Sequence, residues 1–123
     1  MKLLLAIGTG SFLGGVLRYL LSQFIQTKFL SSFPLGTLAV NITGCFFIGL
    51  VFGLTDRGTL TPAWRMFLAT GFLGGFTTFS AFSNETVGLL HAGQLWYATA
   101  YIISSVLFGI VATFIGISFT KLF

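Results

Sequence analysis

Charge is what this sequence has least of. Two acids, Asp56 and Glu85, and six bases are spread over 123 residues, so 7% of the chain is charged, where a soluble domain carries about a quarter. Eight charged side chains cannot cover a water-facing exterior. With 55% hydrophobic residues and a mean hydropathy of +1.01, most of the surface must be apolar, and its preferred solvent is lipid. A water-soluble globular domain is excluded. The single cysteine, Cys45, excludes an intrachain disulfide, and its apolar surroundings read as those of a buried thiol. The bases Lys2, Arg18, Lys28, Arg57, Arg65 and Lys121 are scattered, so the net charge of +4 forms no patch suited to nucleic acid. One histidine, His91, stands in a loop with nothing nearby to make it a metal ligand. No catalytic triad, phosphate-binding loop or metal motif is visible, so the chain does not read as an enzyme.

What is there in excess is glycine and phenylalanine, sixteen of each. Glycine weakens a helix in water but lets two helix backbones approach closely in lipid. A span needs about 20 mostly apolar residues, and four stretches qualify, at about 3–25, 35–54, 63–90 and 96–119. The expectation is one all-α, four-span transmembrane domain over residues 1–123. Trp64, Trp96 and Tyr97 open the third and fourth spans, where amphipathic rings sit at the headgroup level. Residues 3–17 follow Lys2 as a signal peptide's apolar core would, but no small-x-small cleavage site follows and the apolar pattern runs on past Arg18, which makes the segment a mature helix. Four spans put both termini on one side with the second loop. That side holds Lys2, Arg57, Arg65 and Lys121, which leans it toward the cytoplasm.

Small residues recur four apart at Gly10 and Gly14, Gly49 and Gly53, and Ser105 and Gly109, a spacing suited to close helix crossing. No internal repeat is present. A pore with inverted symmetry would have to come from two copies of the chain.

The third span carries the chemistry. Its run from Ala69 to Glu85 holds Gly71, Gly74 and Gly75, then Thr77 and Thr78. Such a helix is weak at its centre and longer than a straight span requires. It reads as a helix broken at mid-membrane, with a continuous Gly-rich packing helix as the alternative. Unwound backbone at that depth must be buried or line a polar cavity, where freed carbonyls hold cations and freed amides hold anions. Beyond it Phe79 and Phe82, Ser80 and Ser83, and then Thr86 share a broad stripe, read either as core or as rings beside hydroxyls. The second span places Thr37, Asn41 and Gly44 on one face, and the fourth Tyr101, Ser105, Gly109 and Thr113. These polar groups either bond neighbouring helices or line a path. Together they suit a small, strongly hydrated anion, because amide and hydroxyl donors and the positive edge of a phenyl ring can replace its water. A fixed positive charge would hold such an ion too tightly to release it. Glu85, just past the stripe, and Arg18, late in the first span, are candidate vestibule residues with Thr37.

The motifs Gly14 to Tyr19, Gly36 to Gly44 and above all Gly71 to Glu85, with its Gly-Gly-Phe-Thr-Thr-Phe-Ser core, resemble the Fluc (CrcB) fluoride channels over essentially the whole chain. The resemblance implies an antiparallel, dual-topology homodimer with two fluoride pores at the subunit interface, in the inner membrane of a bacterium. It implies Phe79 and Phe82 as pore rings, Asn41 as a polar-track amide, and Ser80, Ser83 and Thr113 as hydroxyl donors, with Tyr101 and Ser105 continuing the track. It also implies a structural sodium ion at the dimer centre, held by backbone carbonyls of Gly74 and Thr77. The implied partners are fluoride, sodium, the lipid bilayer and a second copy. Two rivals remain, a small multidrug-type cation exporter and a non-transporting membrane assembly subunit. The first calls for a buried acid in its substrate path, and the first span has none.

Overall fold

The computed structural model describes residues 1–123, all of it helix and connecting turns. The elements are α1 (Lys2–Phe29), α2 (Leu35–Asp56), α3 (Pro62–Arg65), a π-helical stretch (Met66–Leu73), α4 (Gly74–Phe76), α5 (Phe79–His91) and α6 (Leu95–Thr120). Four segments are long and apolar enough to cross a membrane: α1, α2, the composite run Pro62–His91, and α6. The fold is therefore all-α with four spans.

Polar side chains at the ends explain where the helices stop. α1 continues past Ile25 because the Gln26 amide takes up the polar groups of the turn that follows. Its Nε2 donates to the carbonyls of Ser31 and Phe33 at 2.7 and 3.2 Å, and its Oε1 accepts from the Gly36 N–H at 3.1 Å. Leu30 then closes α1 in the left-handed region, φ 38°, with its N–H on the Gln26 carbonyl. The third segment starts at a Thr61 cap that accepts from the Trp64 N–H at 3.3 Å, with Pro62 in the first helical position.

The spans meet backbone to backbone. A Cβ placed on Gly10 would lie 2.7 Å from the Phe67 carbonyl and 2.8 Å from the Phe72 nitrogen, and one on Gly14 would run into the Phe72 carbonyl. Side chains are thus excluded where α1 crosses the third segment. Gly49 faces the Thr113 carbonyl and Gly116 the Phe46 carbonyl, which builds the equivalent crossing of α2 with α6. Gly53 sits against the Thr120 side chain, and a Cβ placed on Gly109 would lie 3.4 Å from the Cys45 sulfur. Such contacts replace the hydrophobic effect, which does not act between helices in lipid.

Little is buried as a result. Only 21 of 123 residues are buried, eight of them hydrophobic. The exposed area is 7724 Å², against about 6,500 Å² for a compact chain of this mass. The interior divides into two small clusters, Val40, Val51, Leu73 and Phe76 in one and Leu89, Ala98 and Tyr101 in the other. The candidate site shares Leu73 with the first, and its Phe82 packs against the second.

Candidate functional site

Thr77 and Thr78 interrupt the third segment. Both are extended, with φ −92°, ψ 154° at Thr77 and φ −149°, ψ 118° at Thr78. Two glycines, poor at holding a helix, precede two β-branched residues that favour extended backbone. The peptide groups released by the interruption are taken up by side chains. The Asn41 Nδ2 donates to the Thr78 carbonyl at 3.0 Å and its Oδ1 accepts from the Thr78 N–H at 2.8 Å. This pairing fixes the orientation of the amide, since the flipped form would set two donors and two acceptors face to face. From α1, the Arg18 Nε donates to the Gly75 carbonyl at 3.1 Å. The Thr77 hydroxyl turns back to the Leu73 carbonyl at 2.9 Å, and the Thr78 hydroxyl caps α5 by accepting from the Ala81 N–H at 3.2 Å. The carbonyls of Gly74 and Thr77 receive no hydrogen bond, because the N–H groups four residues on are engaged by Asn41 and by the Thr78 hydroxyl.

An open groove of about 370 Å³ runs beside the interruption. Its polar and aromatic wall is Asn41, Thr77, Thr78, Phe79, Phe82 and Ser105, and the rest is aliphatic apart from Cys45 and two glycines. The Phe79 and Phe82 rings are 5.5 Å apart and inclined at 48°. Phe82 is further oriented by an edge contact with Tyr101, 5.0 Å between centroids, whereas Phe79 is 79% exposed. The Ser105 hydroxyl oxygen is buried and has no partner within the chain, so a polar atom at the groove wall is left to bond something else.

One turn further along α5, Glu85 is held between two hydroxyls. Thr37 donates to its Oε1 and Tyr101 to its Oε2, both at 2.7 Å. Tyr101 is fully buried and Thr37 nearly so. Each carboxyl oxygen thus accepts a hydroxyl donor, an arrangement that lowers the cost of an acid among apolar spans.

The structure sorts the residues singled out from the sequence into four groups. Asn41, Phe79, Phe82, Ser105, Gly74 and Thr77 meet at the groove. Thr37, Glu85 and Tyr101 form the adjoining cluster. Arg18 ties α1 to the near side of the interruption. Ser80 and Ser83 are exposed, Ser80 pairing at 3.2 Å with the Thr78 hydroxyl, and the Thr113 hydroxyl is spent on the carbonyls of Cys45 and Gly109 at 3.1 Å each. The side chain that sequence reasoning passed over is that of Thr78, whose hydroxyl caps α5. Its signal was a threonine immediately ahead of a helical stripe.

Four apolar spans, three of which line an open groove holding an amide, hydroxyls and two phenyl rings, define a small multi-spanning membrane protein. The chain belongs to the CrcB family, described as CrcB-like protein, Camphor Resistance (CrcB), whose model matches residues 5–117. It is 43% identical over 123 residues to the fluoride-specific ion channel FluC of Chlorobium phaeobacteroides (strain BS1), covering 97% of this chain and 93% of that one. The fluoride-specific ion channel FluC 1 of Methanosarcina acetivorans is 47% identical over 117 residues, 94% of this chain and 88% of its own. The Aquifex aeolicus protein of the FluC name is 44% identical over 117 residues, 94% of each chain.

Proposed function

We propose that this chain is a fluoride-selective ion channel of the cytoplasmic membrane, letting fluoride leave the cell passively and so relieving its toxicity. The observation that carries the reading is the groove itself, which gathers the Asn41 amide, the Ser105 hydroxyl and the rings of Phe79 and Phe82 in a chain whose relatives bear the name of fluoride channels. Fluoride gives up its water only to donors that replace it. Amide N–H and hydroxyl groups can do so, ring edges can assist, and none carries a full charge that would trap the ion. The acid beside the groove has both oxygens engaged by hydroxyls, which argues against an exchanger that needs a free carboxylate for its cargo.

The groove is open along one side and Phe79 projects from it, so a second copy is the natural closure. In this reading two chains pack antiparallel, inserted in opposite orientations, and two pores form between them. The uncovered carbonyls of Gly74 and Thr77 fit a sodium ion at the centre, a hard cation that takes neutral oxygen ligands where helices are interrupted. Bound there, the ion would supply positive charge and cohesion between subunits. Thr37, Glu85 and Arg18 would line the approach, while Ser80, Ser83 and Thr113 stand outside the groove in one chain.

The test is flux. Liposomes containing the purified protein should release fluoride and retain chloride, and Phe82→Ile should reduce fluoride release with the oligomer intact. Fluoride retained by liposomes that hold folded protein would remove the proposal.

A further inference from the structure

Asn41 sits in the groove, and its amide can make more bonds than a passing ion would use. It carries two N–H donors and an oxygen acceptor. One N–H and the oxygen are already committed, to the carbonyl and the N–H of the same residue, Thr78. Two antiparallel bonds to one residue reproduce the exchange between paired residues of neighbouring strands. Among short side chains only an amide offers donor and acceptor at once in that geometry. We infer that Asn41 is a positioning residue for the interruption, its amide acting as a one-residue strand that holds Thr78 extended.

The consequence reaches both sides of the break. With the Thr78 N–H on Asn41, it cannot return to the Gly74 carbonyl four residues back, and that carbonyl stays free of helix bonding. With Thr78 extended, its hydroxyl reaches the Ala81 N–H and starts α5, which sets the direction of Phe79 and Phe82. The clamp on Thr78 therefore determines which carbonyls are left over and where the rings point. Arg18 makes the complementary bond from α1, occupying the Gly75 carbonyl and removing it from the same set. The second N–H of Asn41 has no acceptor within the chain, so it is available to the groove. The inference rests on the channel reading for its importance to ion passage, but the clamp is measurable without it.

The experiment is amide hydrogen exchange at Thr78, read by NMR on the full chain in detergent micelles. Asn41→Leu, similar in size and without polar atoms, should speed Thr78 exchange by about 100-fold. Asn41→Asp keeps an acceptor for that N–H but sets a carboxylate oxygen against the Thr78 carbonyl, so exchange should fall between that of Asn41→Leu and that of the parent. Phe82→Ile, which loses a groove ring and no bond to Thr78, should leave it within about twofold. If Asn41→Leu does not fold, Asn41→Ala gives the same readout with less bulk. In parallel, thermal unfolding in sodium or choline chloride should show the half-saturating sodium concentration raised about tenfold by Asn41→Leu. Thr78 exchange unchanged by loss of the amide, or as slow in Asn41→Asp as in the parent, overturns the inference. A parent protein indifferent to sodium overturns the sodium reading instead, and absent fluoride flux overturns the channel reading, while Thr78 exchange alone decides the clamp.

Discussion

At the scale of single residues, the molecule spends its few polar groups on one another. Glu85 shows it most clearly, with a donor on each oxygen and one of those donors fully buried. Tyr101→Phe removes a hydroxyl without changing the ring contacts and leaves Oε2 unpaired. It should cost about 1.5–3 kcal/mol, measured as a lowered thermal midpoint in detergent. Thr37→Val should act alike, and the double variant should lose less than the sum because both act on one carboxylate. An unchanged midpoint in Tyr101→Phe would show that the pair does not hold the acid. The groove residues were legible because amides and hydroxyls inside apolar spans are conspicuous. Their partners were not, because spacing assigns a face of one helix and not the neighbour that covers it. Thr113 is the instructive residue. Its row promised a polar track, yet a threonine within a helix can return its hydroxyl to the carbonyl four residues back, and this one does so.

At the scale of elements, glycine determines how the spans cross. Gly14→Ala would drive a methyl into the Phe72 carbonyl, whereas Gly8 and Gly88 have open space around them. Gly14→Ala should therefore abolish the folded peak in size-exclusion chromatography. Gly8→Ala should instead be neutral or stabilise by about 0.5–1 kcal/mol through helix propensity, and a folded Gly14→Ala would contradict the crossing. The spacing of Gly10 with Gly14 and Gly49 with Gly53 was readable. Gly116, which meets Phe46, was not among those pairs, since only the partner helix reveals what it faces. The π-helical stretch Met66–Leu73 was hidden for a related reason. A segment apolar on all sides shows no period, so nothing in its pattern separates a wide turn from an ordinary one.

At the scale of the whole molecule, a 13.3 kDa chain has more exposed area than a compact domain of its mass, and its groove is open along one side. If two chains complete the site, light scattering in detergent should give twice the single-chain protein mass, and a single-chain mass would remove the paired arrangement. The four-span architecture was legible in composition and hydropathy alone, because the lipid solvent constrains it so strongly. The groove was not, since it is made where three spans meet and none of them contains it.

The close crossings also govern which changes the protein can survive. In a soluble domain, intolerance to substitution concentrates at large core side chains. Here the large side chains mostly point outward, from Phe12 and Phe24 to Phe108 and Phe114, into a solvent that accepts any apolar group. The constraint passes to positions with no side chain at all, such as Gly14, Gly36, Gly49 and Gly116, each of which faces a backbone carbonyl. A saturation scan would map the fold as lines of forbidden methyl groups, and drift among relatives should run freely through those four outward phenylalanines while stopping at those glycines.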